Sequence, residues 1–99
     1  MDFKIIWSDS AIGDLKNICE YIARDKPGAA RKTGRGILNH VKLLETFPFI
    51  GPPYPRRSAG TIREIVFGKY RIFYEIASAS KIVHVLRVWH GARGEPELD

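Results

Sequence analysis

Two arginines lie inside apolar runs of this sequence, and a histidine and a further arginine follow the last such run. Arg63 and Arg71 interrupt the stretch GTIREIVFGKYRIFYEI (60–76), although charged side chains are uncommon where a small protein builds its core. A guanidinium group binds carboxylates and phosphates through paired hydrogen bonds. His90, close to Arg93, has the chemistry of a general acid or base for RNA cleavage, whereas a strand-end histidine more often hydrogen-bonds a loop carbonyl. These residues therefore predict a site for an acidic partner or for a nucleic-acid backbone.

Other catalytic patterns are missing from the sequence. It has one cysteine, Cys19, three separated histidines and no pair of carboxylates at helical spacing, so we expect no metal site. No phosphate-binding glycine loop and no Ser-His-Asp pattern occurs, and we expect no cofactor. A single cysteine cannot form an internal disulfide and fits a reducing cytoplasm. No secretory signal begins the chain, and no apolar run approaches the ~18 residues of a membrane span, so the predicted location is cytoplasmic.

The net charge of +5 is unevenly distributed along the 99 residues. Residues 26–93 carry thirteen Lys and Arg against three Glu, whereas residues 1–25 and the last six residues, GEPELD, are both net negative. A basic middle favours an acidic partner, either nucleic acid or an acidic protein segment. The alternative is a basic protein whose charge serves only solubility.

Hydrophobic periodicity predicts a β-α-α-β-β-β order. FKIIW (3–7) is typical of a strand, and Ser8 then stands where a helix N-cap is expected. Apolar residues recur at helical spacing up to Asp25, and again after Pro27-Gly28. The proline-rich stretch 47–60 predicts a stiff connector, whose Arg56-Arg57 pair is either a solvated loop or a contact for an acidic partner. Three further strands are predicted at 61–67, 70–77 and 81–90.

This order predicts a single α+β domain over residues 1–99, with a helical hairpin on one face of a small, mostly antiparallel sheet. Gly34 and Gly36 each cost about 1 kcal/mol in a helix interior, and close helix–helix packing would account for them. Strict alternation sets Arg71 and Phe73 opposite the apolar side chains of their strand. In the last strand the same rule groups Arg87 and Trp89 with Val83 and Val85. We expect the second sheet face to be an open surface with Arg71 and Phe73, and we include Arg87 and Trp89 as candidates.

Several motifs, in this order and spacing, resemble the ParE/RelE superfamily of toxins from bacterial type II toxin–antitoxin systems. They cover nearly the whole chain and are W-S-x-x-A-x-x-D-L (7–15), E-Y-I-A (20–23), P-x-x-G-x-P (48–53), I-R-E-I-V (62–66), Y-R-I-x-Y (70–74) and V-W-H-G-A-R (88–93). The resemblance implies the predicted fold and a growth-inhibiting toxin neutralised by a cognate antitoxin. The acidic C-terminal segment of the antitoxin would lie on the basic sheet surface. For this partner or for the target, the candidate binding residues are Arg63, Arg71, Phe73, Arg87, Trp89 and Arg93.

The superfamily divides by activity. RelE-like members are ribosome-dependent mRNA endoribonucleases with a basic cluster on the sheet, whereas ParE-like members inhibit DNA gyrase by binding it. Arg71 matches a position that is basic in the nucleases, but Ile62 and Glu64 stand where those nucleases place lysines. An acidic residue is electrostatically wrong where phosphate must bind. The resemblance therefore favours the ParE-like branch, with no catalytic residue. The alternative is an endoribonuclease that uses Arg71, His90 and Arg93, and a third interpretation is a toxin-fold remnant or general basic binding module.

Overall fold

A computed structural model describes residues 2–55 and 61–98, and the β-α-α-β-β-β order is confirmed. The strands and helices follow the chain as β1 (Lys4–Trp7), α1 (Asp9–Ala23), α2 (Pro27–Lys42), β2 (Ile62–Phe67), β3 (Tyr70–Ala77) and β4 (Ile82–His90). Short 3-10 turns occupy Leu43–Glu45 and Gly91–Arg93. The sheet order is β1-β4-β3-β2, in which only β1 pairs in parallel, with β4. The fold is thus the predicted α+β arrangement of two helices on a mostly antiparallel sheet.

Local sequence signals set the helix boundaries. The Ser8 hydroxyl accepts a hydrogen bond from the Ala11 amide at 3.0 Å, as an N-cap does, and Asp9 places a negative charge in the first turn of α1. Pro27 begins α2 at the first helical position, where its missing amide hydrogen costs nothing. The Ser8 hydroxyl also donates to the Leu86 carbonyl at 2.9 Å. The start of α1 is therefore attached to β4 just beyond its pairing with β1.

The main core lies between the helices and the sheet. Its fully buried members are Ala11, Ile37, Val41, Leu44, Ile72, Tyr74, Val83, Val85 and Val88. Gly34 lets the helices approach closely, because a Cβ there would lie 2.9 Å from the Cys19 sulfur of α1. The predicted reason for this glycine is thus confirmed, but for Gly36 it was wrong. A Cβ at Gly36 would collide with the Phe67 ring of β2, so this glycine allows the helix to approach the sheet.

A β-bulge in β4 changes which side chains share a face. Phe73 pairs with Arg87, but the next residue of β3, Tyr74, pairs with Val85, so Leu86 has no partner residue across the strand pair. One extra residue reverses the alternation beyond it. Strict alternation, which grouped Arg87 and Trp89 with Val83 and Val85, is therefore wrong in this strand. Within the described residues, no helix has the length and apolarity to cross a bilayer.

Candidate functional site

The sheet face turned away from the helices, here called the outer face, carries most of the predicted site. The register pairs Glu64 with Phe73, Phe73 with Arg87, and Arg71 with Trp89 across three strands. Residues paired in this way point to the same side of an antiparallel sheet. The four residues expected on the second face do share it, because the bulge turns Arg87 and Trp89 to that side.

The outer face is not open, and that expectation was wrong. Phe73 is fully buried and Trp89 is only 9% exposed. Tyr54, from the proline-rich connector, packs edge-on against Phe73 with 4.9 Å between ring centroids. Residues 94–98 lie on the same cluster, which includes a half-buried Leu98. Burying these aromatic rings stabilises the fold by roughly 1.5–3 kcal/mol per large side chain. An uncovered sheet face would lack this stabilisation.

Arg71 is held between two carboxylates on the outer face. Its Nε lies 2.5 Å from Glu64 Oε2 and its Nη1 lies 2.6 Å from Glu95 Oε2. The guanidinium carbon is 4.9 Å from the centre of the Phe73 ring, a cation–π geometry. The hydrogen bonds that Arg71 donates to Glu64, and then to Glu95, raise the pKa of Arg71 above its ordinary value. Arg71 is therefore charged but already paired.

Arg87 and Arg93 flank Trp89. Arg87 makes a two-pronged ion pair with Asp14 of α1, with Nε–Oδ2 at 2.7 Å and Nη2–Oδ1 at 2.8 Å. This pairing raises the pKa of Arg87, and Asp14 also accepts the Val88 amide at 3.0 Å. The guanidinium carbons of Arg87 and Arg93 lie 4.8 and 4.0 Å from the Trp89 ring centroid. Arg87 thus attaches the outer face to α1, whereas Arg93 is exposed.

Arg63 lies on the opposite side of the sheet from Arg71. It pairs in register with the core residue Tyr74 and donates from Nη1 to the Gly51 carbonyl at 2.6 Å. Its guanidinium also stands 5.1 Å from the Phe49 ring centroid. Arg63 thus fastens the connector to the edge strand. Its role in binding an antitoxin or a target stays a prediction.

The three alternative catalytic residues are not all brought together. His90 pairs in register with Tyr70 on the helix side of the sheet, at 5.4 Å between ring centroids, whereas Arg71 is on the outer face. Adjacent positions of a strand point to opposite faces, which separates the two. His90 Nδ1 accepts the Ala92 amide at 3.0 Å, a contact different from the expected bond to a loop carbonyl.

A cleft of about 760 Å³ opens between α1 and the ends of β3 and β4. Its lining includes Tyr21, Lys69, Tyr70, His90 and Arg93. Two of the three alternative catalytic residues therefore lie at this cleft. Across residues 2–55 and 61–98, no three His, Cys, Asp or Glu side chains gather as a metal site would need. The Arg56-Arg57 pair lies outside the described residues.

Comparison with known proteins identifies the family. The sequence profile described as "ParE toxin of type II toxin-antitoxin system, parDE" matches residues 5–94. The chain belongs to the ParE toxin family. A curated relative, Toxin RelE2 of Caulobacter vibrioides, is 31% identical over 91 residues, which cover 91% of this chain and 97% of the relative. The resemblance to the ParE/RelE superfamily is thereby confirmed.

Two solved structures share the fold of this ParE-family chain. The chromosomal ParDE toxin–antitoxin system from P. aeruginosa superposes with a TM-score of 0.75 at 20% identity, over 89% of this chain and 95% of that one. The toxin–antitoxin complex RelBE2 from Mycobacterium tuberculosis gives a TM-score of 0.60 at 24% identity, over 91% and 99% of the two chains. Both branches of the superfamily are thus represented among the similar folds.

Sequence reasoning missed several residues of the outer face in this ParE-family toxin. They are Asp14, Tyr54, Glu95 and Leu98, which pair with its arginines or cover its rings. One signal was available, because the acidic residues 94–99 follow directly on the basic middle of the chain. Opposite charges so close in sequence can pair within one molecule. No comparable pattern marks Tyr54 or Asp14.

Proposed function

We propose that this toxin is ParE-like, that it inhibits DNA gyrase by protein–protein binding in the cytoplasm, and that a cognate antitoxin neutralises it. The family match supports the toxin function. The ion pair of Arg71 with Glu64 carries the choice of branch. In a nuclease the corresponding arginine must meet phosphate, whereas here a carboxylate already occupies it.

The electrostatics of Glu64 disfavour phosphate binding on the outer face. Its side chain is only 19% exposed and approaches the Arg71 guanidinium with both oxygens, at 2.5 and 3.3 Å. A phosphate that approached Arg71 would have to displace this carboxylate or accept its repulsion. Such a surface fits a protein partner better than an RNA backbone.

The hydrogen bonding of His90 points in the same direction. A neutral imidazole has one nitrogen lone pair, and at Nδ1 this lone pair accepts the Ala92 amide. The other nitrogen, Nε2, then carries the proton. His90 could act as a general base only after that bond breaks.

The second candidate function is a RelE-like, ribosome-dependent mRNA endoribonuclease. The cleft beside α1 favours it, since Lys69, His90 and Arg93 line one concave site. The name of the curated relative, Toxin RelE2, also lies on that side of the superfamily. The electrostatics of Arg71 are the reason for ranking this candidate second.

A cognate antitoxin is part of the same proposal. Both similar structures come from toxin–antitoxin systems, and the basic middle of this chain suits an acidic partner segment. Coupled folding of such a segment on the toxin would give it a specific, salt-sensitive interface.

Expression of the toxin alone tests the activity. We expect growth arrest, loss of plasmid supercoiling in a gyrase assay with the purified chain, and intact ribosome-bound mRNA. The mRNA is expected to stay intact because a ParE-like toxin acts by binding gyrase and cuts no RNA. Cleaved mRNA with normal supercoiling would contradict the proposal and favour the nuclease.

A pair of histidine variants provides the control. If the nuclease candidate is correct, His90→Ala abolishes cleavage, whereas His84→Ala leaves it unchanged, since His84 is not among the residues that line the cleft. If the gyrase proposal is correct, no mRNA is cut by the wild type or by either variant. Absence of both growth arrest and supercoiling inhibition in the wild type would favour the toxin-fold remnant.

A further inference from the structure

The chain's own acidic terminus occupies the outer face. Beyond the 3-10 turn Gly91–Arg93, the backbone turns at Gly94, whose φ of +80° suits glycine. The Trp89 indole donates to the Gly94 carbonyl at 3.1 Å. Residues 94–98 then continue over the rings without forming a helix or a strand. This segment has the acidic chemistry that a basic sheet surface is expected to bind.

The polar contacts of the segment centre on Glu95. One carboxylate oxygen lies 2.6 Å from Arg71 Nη1, and the other accepts the Tyr54 hydroxyl at 2.7 Å. Glu95 and Glu64 are far apart in sequence, but their carboxylates bind the same guanidinium group. A charge-assisted pair of this kind is stronger than a neutral hydrogen bond, but its partial exposure reduces its contribution.

The apolar contacts follow directly along the segment. Pro96 is buried, and Leu98 packs on the cluster of Tyr54, Phe73 and Trp89. Glu97, between them, is exposed. The outer face therefore accepts a short pattern: a carboxylate for Arg71 and, three residues later, an apolar side chain for the aromatic cluster.

We propose that the outer face is a docking surface for an extended acidic segment of a partner protein, and that residues 94–98 occupy it as a tethered competitor. That this partner is the antitoxin rests on the proposed function. An RNA strand fits less well, because the Leu98 contact is apolar and Glu64 would repel phosphate. Within the described residues this segment pairs with no strand, so it can leave without disrupting the sheet.

Tethering determines how strongly the segment competes. A ligand joined by a short linker acts at an effective concentration in the millimolar range, so even a weak intramolecular contact excludes a free peptide of similar affinity. Weakening the segment should therefore tighten the binding of a competing peptide. A substitution that removes the same charge from a side chain outside the outer face should leave the affinity for that peptide unchanged.

A peptide competition experiment tests this proposal on the full-length chain. The probe is a fluorescent synthetic peptide of the sequence GEPELD, followed by anisotropy. We expect weak binding to the wild type, and binding about tenfold tighter to Glu95→Gln, which loses the contact with Arg71. The matched control Glu97→Gln removes the same charge from an exposed site and should bind like the wild type. Leu98→Ser weakens the apolar contact at constant charge and should also tighten binding.

Three results would overturn the proposal. They are unchanged peptide affinity in both Glu95→Gln and Leu98→Ser, an equal gain in Glu97→Gln, and tighter binding of a single-stranded RNA oligonucleotide than of the peptide. The NMR signal of the Trp89 indole N–H gives an independent measurement, since it should shift in Glu95→Gln and on peptide addition but not in Glu97→Gln. A fixed indole signal would likewise contradict displacement.

The outcome is separable from that of the proposed function, because the experiment involves neither gyrase nor growth. Displacement without supercoiling inhibition would retain the docking surface and reject the gyrase activity. Supercoiling inhibition without displacement would support the gyrase activity and reject the docking surface.

Discussion

At the scale of single residues, the arginines inside the strands have different roles. Arg71 pairs with two carboxylates over an aromatic ring, whereas Arg63 binds the connector on the opposite side of the sheet. Arg87 pairs with Asp14 of α1. Each charge has a partner that limits the cost of partial burial. The arginines therefore contribute to the fold as well as to the surface.

Tyr74 predicts how stability depends on pH. Its buried hydroxyl donates to the Pro48 carbonyl at 2.8 Å and accepts the Gly51 amide at 3.0 Å. Burial raises the pKa of Tyr74 above the ordinary 10.0. A raised pKa in the folded state means that the stability from this group is complete below pH 10 and declines as the pH rises towards the folded pKa.

Tyr74→Phe should lower the free energy of unfolding at pH 7 by about 1–3 kcal/mol, because two backbone groups lose their partner. It should also reduce the loss of unfolding free energy at alkaline pH. Part of that loss will remain, because burial also raises the pKa of Tyr70. Urea unfolding between neutral and alkaline pH measures both effects. Tyr21→Phe, at a side chain that is 73% exposed, serves as the control. An unchanged alkaline slope in Tyr74→Phe would contradict this account.

At the scale of elements, the connector protects the outer edge of β2. The Tyr54 amide donates to the Ile62 carbonyl at 2.7 Å, and the Glu64 amide donates to the Pro52 carbonyl at 3.1 Å. Pro53 forms an antiparallel bridge with Arg63. An unprotected edge strand invites pairing with other chains. The prolines make the connector stiff, and these bonds attach it where β2 would otherwise be exposed.

Gly51 determines how closely the connector approaches the sheet. A Cβ there would lie 2.5 Å from the Glu64 carbonyl oxygen and 2.7 Å from the Tyr74 hydroxyl. We expect Gly51→Ala to lower the free energy of unfolding by about 1–3 kcal/mol, since neither neighbour can move away freely. At Gly13, inside α1, an added Cβ would meet no neighbouring atom within 4 Å. Gly13→Ala should therefore raise the free energy of unfolding by about 0.5–1 kcal/mol. Chemical denaturation of both variants checks the contrast, and equal effects would refute it.

At the scale of the whole molecule, the net charge of +5 is a poor guide to where an anion binds. Two cations of the outer face, Arg71 and Arg87, are paired with carboxylates of Asp14, Glu64 and Glu95. By contrast, the exposed Arg31, Lys32 and Arg35 of α2 line a shallow groove of their own. Helix α2 therefore presents three exposed cations together, whereas Arg71 and Arg87 of the outer face are already paired.

RNA binding should follow this charge distribution. With a labelled single-stranded RNA, we expect only non-specific affinity, with a Kd of roughly 1–100 µM that weakens steeply with salt. Removal of one cation in Arg35→Ala should reduce the salt dependence. Nanomolar binding that survives about 150 mM salt and is unchanged in Arg35→Ala would instead indicate a specific RNA site and favour the nuclease candidate.

The strand and helix pattern of this toxin could be predicted closely. Ser8, Pro27 and the periodic apolar residues fixed the helices, and the four predicted strands agree with the structure within one residue at each end. These features depend on neighbours a few positions apart. The sequence motifs likewise predicted the family that the profile confirms.

The candidate site was only partly predictable. Arg71 and Phe73 were placed on the correct face, but the burial of Phe73 was not foreseen. Covering it requires Tyr54 and residues 94–98 to meet on one surface, although they are separated by most of the sheet in sequence. Hydrophobic periodicity along the sequence does not predict a contact between such distant segments.

The sequence alone therefore determined the family, the order of elements and the chemistry available to a partner, because local periodicity, caps and motifs are written in short stretches of residues. Only the tertiary structure decided the register at the Leu86 bulge, the partners of each arginine and the acidic segment that covers the outer face. These depend on contacts between distant parts of the chain, where a shift of one residue in strand pairing moves a side chain to the other face.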